Sequence, residues 1–68
     1  MEMTLFEENG ITKTRIKVSK KHLDTYKKII GSYIAKYGGD FQKQSSRFVY
    51  FVVNADLINK GVSSEFLR

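Results

Sequence analysis

Hydrophobic and polar positions alternate early in the chain and then switch to a helical period. Over residues 11–18, Thr12, Thr14, Ile16 and Val18 fall on one side, and Ile11, Lys13, Arg15 and Lys17 on the other. That period of two is the pattern of a half-buried strand. β-Branched side chains at four successive positions favour a strand over a helix, so the first set is expected to face the core. Residues 4–7 read as a shorter strand. Asn9 and Gly10 stand between the two segments. That pair best accommodates the two positive φ angles of a type I′ hairpin turn.

The period changes after Ser19, whose hydroxyl suits a helix N-cap. Over residues 20–37, Leu23, Tyr26, Ile30, Tyr33, Ile34 and Tyr37 recur within one stripe, and Lys21, Thr25, Lys28, Ser32 and Lys36 fall well away from it. This spacing predicts one long amphipathic helix. Gly31 inside it costs about 1 kcal/mol relative to Ala; close approach to the sheet and simple drift both account for it. Gly38 and Gly39 end the helix. A third strand is expected over 41–44, a turn at Ser45 and Ser46, and a fourth strand over 47–53. Asn54 is placed to cap a short helix over 55–60, closed by Gly61. Residues 62–68 are open to three continuations: helix, strand or loose end. The expected fold is therefore α+β, in the order β-β-α-β-β-α, an antiparallel sheet with one long helix packed on one face.

The fourth strand is apolar on both sides. Phe48, Tyr50 and Val52 form one set and Val49, Phe51 and Val53 the other. A single helix layer covers one set, which leaves the other in need of cover. A second protomer, the terminal helix together with the N-terminal segment, or nucleic-acid bases stacked on exposed rings would each supply it.

Composition narrows the choices. The 68 residues make a single domain, with 41% hydrophobic residues, enough for a core. A chain of this size buries only about 60% of its unfolded surface. It must pack efficiently or oligomerise, and a homodimer is expected. With no Cys there is neither a disulfide framework nor a Cys-based zinc site. No apolar run approaches the ~20 residues of a membrane span. The start, Met1, Glu2 and Met3, is acidic where a signal peptide is basic. No membrane association and a cytoplasmic location are expected.

Twelve Lys and Arg against seven Asp and Glu leave a net charge of +5. Lys13, Arg15 and Lys17 recur about 7 Å apart on one strand face. Such a row can follow a phosphate backbone, or enter a major groove as part of a β-ribbon. Lys20 and Lys21 extend the cluster, while much of the acidic charge lies at Glu2, Glu7 and Glu8. A solvated face whose lysines discourage edge pairing is the bland alternative. The sequence pI of about 9.6 tips the balance toward a polyanionic partner.

Catalytic chemistry finds little support. His22 is the sole histidine, and Asp24 lies on a different side of the helix, so no metal-ligand set forms. There is no Cys nucleophile, no Ser–His–Asp constellation and no carboxylate pair. Gly38, Gly39 and Asp40 follow a helix, whereas a phosphate-binding loop precedes one. The residual enzymatic route is cation-assisted RNA cleavage by His22, Arg15, Arg47 and Tyr50. No enzymatic activity, cofactor or metal is expected.

Residues 15–60 share the β-α-β-β-α order of most of an RNA-recognition motif, and Ser46, Arg47, Phe48, Val49, Tyr50, Phe51 and Val52 resemble the aromatic RNP1 strand of that family. The resemblance implies Tyr50 or Phe48 as a base-stacking residue. The chain departs from the pattern where Gly should follow the basic residue, and its strand at 11–18 offers Ile16 and Val18 where an aromatic is expected. In length and composition the chain also resembles accessory proteins of bacteriophages and mobile elements.

The expected function is that of a small basic non-enzymatic regulator that binds nucleic acid, RNA or DNA, through Lys13, Arg15, Lys17, Lys20 and Lys21. Phe48, Tyr50 and Phe51 are expected to stack or to close an interface. The alternative is an interaction module or inhibitor that captures a partner protein through an apolar aromatic sheet face.

Overall fold

The hairpin predicted around Asn9 and Gly10 forms. In the computed structural model, which describes residues 1–59, β1 (Glu2–Glu8) pairs antiparallel with β2 (Ile11–Ser19). Asn9 and Gly10 take φ of 53° and 77°, the two positive angles of the expected turn. A 3-10 turn (Lys20–His22) follows, and the Ser19 hydroxyl caps it by accepting from the Lys21 N–H at 3.3 Å. Helix α1 (Leu23–Tyr37) comes next, then β3 (Gly39–Gln44) and β4 (Phe48–Val53).

The four strands form one antiparallel sheet in the order β1-β2-β4-β3. β2 and β4 are therefore central. β2 and β3 run the same way with β4 between them, and α1 makes the crossover.

One face of the sheet carries the core. Thr14, Ile16 and Val18 of β2 are fully buried, and Val49 and Val53 of β4 lie beside them. Ile30 and Tyr33 of α1 pack onto them, flanked by half-buried Leu23, Tyr26, Ile29, Ile34 and Tyr37. The expected helix stripe is thus the one that meets the sheet. Gly31 is on the other side, and a Cβ there would meet nothing within 4 Å. Close approach to the sheet does not account for it. Gly39 is different: a Cβ on it would stand 2.0 Å from the Val52 carbonyl oxygen, so the pairing of β3 with β4 requires glycine there.

The short helix expected over 55–60 does not form within the described residues, and the observed order is β-β-α-β-β. Thr14 supplies the reason. Its buried hydroxyl donates to the Ala55 carbonyl at 2.7 Å and accepts from the Leu57 N–H at 3.0 Å. In a helix the Ala55 carbonyl would instead accept from the Asn59 N–H. That N–H goes to Asp56 Oδ1 at 2.9 Å. The segment is held as turns, with Leu57 fully buried against the same sheet face as α1. The helix end, its Gly61 stop and the continuation over 62–68 lie outside the described residues.

Candidate nucleic-acid interface

The register between the central strands decides which side chains meet on the face away from α1. Arg15 pairs with Val52, Lys17 with Tyr50, and Ser19 with Phe48. The basic positions of β2 and the Phe48, Tyr50 and Val52 set of β4 therefore share one face. From the flanks, β1 contributes Phe6 opposite Lys13, and β3 contributes Lys43 opposite Tyr50.

On this open face each ring carries a cation. The Arg15 guanidinium stands 4.7 Å from the Phe6 ring centre, Lys17 Nζ 4.2 Å from Phe48 and Lys43 Nζ 5.1 Å from Tyr50. Such contacts are worth about 0.5–1 kcal/mol each at an exposed site. Arg15 and Lys43 remain exposed and Lys17 half-buried, consistent with the tendency of long basic side chains to lay their stems on apolar surface and keep their charge in water. Arg15 Nε also donates to Gln42 Oε1 at 3.2 Å, spanning from β2 to β3 across β4. Beneath that span Val52 is 5% exposed. The apolar set of the outer side is thus covered by the chain's own cations, while Ala55 and Leu57 pack into the core on the helix side.

Lys13 is engaged differently. Its ammonium donates to Glu8 Oε1 at 2.8 Å, and its side chain is only 16% exposed. The hydrogen bond from Lys13, then its charge, and more weakly the charge of Arg15, hold the Glu8 carboxyl below the usual glutamate range. Lys13 is therefore partly neutralised. Among the described residues, the cations on this face without a carboxylate partner are Arg15, Lys17 and Lys43.

Among the described residues, three shallow depressions open on or beside this face; the smallest, of about 140 Å³, is lined by Met1, Glu2, Lys17, Ser19 and Phe48. A second, of about 360 Å³, is lined by Arg15, Gln42, Lys43 and Tyr50. The third, of about 440 Å³, lies at the turns that end β2 and begin β4, and is lined by Ser19, Lys20, Lys21, Ser46, Arg47 and Phe48. Lys20 and Lys21 thus leave the β2 row and join Arg47.

Phe51 is not on the open face. It pairs with Ile16 and Phe41, faces α1, and meets Phe41 edge to face at 5.8 Å between ring centres. Phe48 and Tyr50 alone of the three aromatic candidates share the face with the cations. Arg15 and Tyr50, two of the residues considered for RNA cleavage, line one depression and Arg47 another, while His22 lines none of the three. Among the described residues no cluster of three or more His, Cys, Asp or Glu could hold a metal ion, and no helix is long and apolar enough to cross a membrane.

Sequence reasoning missed Phe6, Gln42, Lys43 and Ser46 as site residues. Phe6 had the alternation to reveal it, since it is opposite Lys13 across the predicted hairpin. Lys43 had no such signal. It is two residues from Phe41, so a regular strand would put both on the helix side. A register shift between Phe41 and Lys43 turns Lys43 to the Tyr50 side instead.

Comparison of the chain with protein-family models, with curated proteins and with solved structures finds no match. The resemblance of residues 15–60 to the RNA-recognition motif is accordingly not accompanied by a family match, and the second helix it implied does not form among the described residues.

Proposed function

We propose that the chain is a small, basic, non-enzymatic regulator that binds nucleic acid with its open sheet face and acts in the cytoplasm. One observation carries the reading: Arg15, Lys17 and Lys43 are interleaved with Phe6, Phe48 and Tyr50 on a single face. Phosphates require the cations and bases require the rings, at neighbouring positions.

The energetics favour an exchange. A base that stacks on Phe48 displaces the Lys17 ammonium, at a cost of about 0.5–1 kcal/mol. Base–aromatic stacking returns about 1–3 kcal/mol. The displaced ammonium then reaches a phosphate, which releases a counterion. These interactions position a ligand and do not by themselves specify its sequence.

Fluorescence anisotropy with single-stranded RNA, single-stranded DNA and duplex DNA, at low and near-physiological salt, tests the reading. Micromolar or tighter binding that weakens steeply with salt is expected. Arg15→Ala combined with Lys17→Ala should weaken it and flatten the salt dependence while the fold survives. Absence of binding by the native chain at low salt would contradict the reading. It would favour capture of a partner protein or of a second copy. A separate observation supports that second reading: β3 is an outer strand, and its Phe41 is 55% exposed.

A further inference from the structure

We infer that the depression formed by the β2–α1 and β3–β4 turns is a phosphate anchor, and that it makes single-stranded nucleic acid the ligand of the open face. The inference rests on the binding reading above and names its substrate class.

Three cations from two separate turns line this depression: Lys20 and Lys21 from one and Arg47 from the other. Like charges brought together need a reason to stay. Backbone bonds hold them there, since the Lys20 N–H donates to the Arg47 carbonyl at 2.9 Å. The β3–β4 turn is closed independently. The Ser45 N–H donates to the Phe48 carbonyl at 2.8 Å, and the Phe48 N–H donates to Ser45 Oγ at 3.1 Å. Among the described residues the lining contains no carboxylate, in contrast to Lys13, which Glu8 occupies. An anion entering here meets three exposed cations and the Ser46 hydroxyl in a preformed frame.

Phe48 lines the same depression and also begins the open face, with Tyr50 next along β4. The spacing of these two rings is about twice the strand rise, or ~6.7 Å. Consecutive bases of a duplex strand are stacked at ~3.4 Å, and their faces are covered by one another. An unstacked single strand can open to the larger spacing and offer a base to each ring. A phosphate held at the turns then places one base over Phe48 and the next over Tyr50. The depression around Tyr50 supplies Gln42, Arg15 and Lys43 to the edge of the second base.

Duplex entry is disfavoured by width. Because β2 is a central strand, its cations cannot approach as the tip of a two-stranded ribbon. Four strands at about 4.8 Å span ~14 Å between the outer strand axes, more than the ~12 Å of a major groove.

The test compares Lys20→Ala/Lys21→Ala/Arg47→Ala with Lys27→Ala/Lys28→Ala/Lys36→Ala. The second variant removes the same charge from exposed positions on α1. Labelled oligouridylate, oligothymidylate and a mixed-sequence duplex are titrated by anisotropy, and thermal melts establish that each variant is folded. Arg47→Gln alone is carried as a milder change. The turn variant should bind either single strand about tenfold more weakly, with its salt slope reduced by about 0.7 for each phosphate no longer neutralised. The α1 variant should stay near the native affinity, and the duplex should bind more weakly than the single strands. Equal weakening in the turn and α1 variants would reduce the depression to net charge and overturn the inference. So would a duplex bound as tightly as the single strands. If Arg15→Ala with Lys17→Ala abolishes binding while the turn variant matches the α1 control, the anchor fails and the open-face reading stands. If the native chain binds none of the three, both fail.

Discussion

The two faces of the sheet are built from the same strands and solve the covering problem in different ways. On the α1 side, Ile16, Val18, Ile30, Val53 and Leu57 are removed from water altogether. The buried polar group among them, the Thr14 hydroxyl, has both a donor and an acceptor partner. On the open side, Phe6, Phe48 and Tyr50 remain half-buried beneath Arg15, Lys17 and Lys43. The centre of the first face is closed to solvent, and directional bonds from Thr14 hold the 55–57 segment onto it. The second is shielded by side chains that can move aside. Only the second can exchange its cover for a ligand without dismantling the core. The difference explains how β4 can be apolar on both sides in a protein with a single helix layer.

Neighbouring substitutions on β2 should separate the faces. Ile16→Ala, which leaves a cavity at a fully buried position, should cost about 2–5 kcal/mol, read from the midpoint of urea unfolding. Thr14→Val keeps the shape of the side chain but orphans the Ala55 carbonyl and the Leu57 N–H. It should cost about 1–3 kcal/mol, and hydrogen exchange at the Leu57 amide should accelerate. Lys17→Ala, one residue from Ile16 but over the Phe48 ring, should cost no more than about 1 kcal/mol. A destabilisation by Lys17→Ala as large as that by Ile16→Ala would show that the open face belongs to the core, and would break the comparison.

The smallest effect concerns acid. The Lys13 hydrogen bond lowers the Glu8 carboxyl below its ordinary value. A group whose folded-state value is depressed stabilises the fold above its unfolded value, and that contribution disappears as pH falls through the folded value. Because Glu8 is exposed at the hairpin end, the effect on stability should be slight and confined to acidic pH. An NMR titration of the Glu8 side chain should give a midpoint below the ordinary glutamate value, and Lys13→Ala should move it back toward that value. An unchanged midpoint in the variant would separate Glu8 from Lys13.

Much of this arrangement is legible in the chain. Four β-branched positions of alternating register mark the inner side of β2, Asn9 and Gly10 mark the hairpin, and the stripe from Leu23 to Tyr37 marks the helix face. What is not legible depends on residues far apart in sequence. The pattern over 47–53 is apolar on both sides, so only its pairing with β2 determines that Phe51 turns inward while Phe48 and Tyr50 turn outward. The sequence around Asn54 favours a capped helix, but Thr14, 41 residues away from Ala55, takes the carbonyl that such a helix would use. Lys43 reaches the open face through a register shift that alternation does not anticipate. In the candidate site, the basic row is readable and its shared face with the rings is not, because a face common to two strands is a property of their register.

The most direct measurement is an amide and side-chain chemical-shift map of the protein titrated with a short single-stranded oligonucleotide. The account predicts that shifts cluster at Arg15, Lys17, Lys43, Phe48 and Tyr50 and at the turns carrying Lys20, Lys21 and Arg47, with the outer face of α1 unchanged. Shifts centred on Lys28, Ser32 and Lys36 of α1 with a silent open face, or no shifts at all, would contradict it.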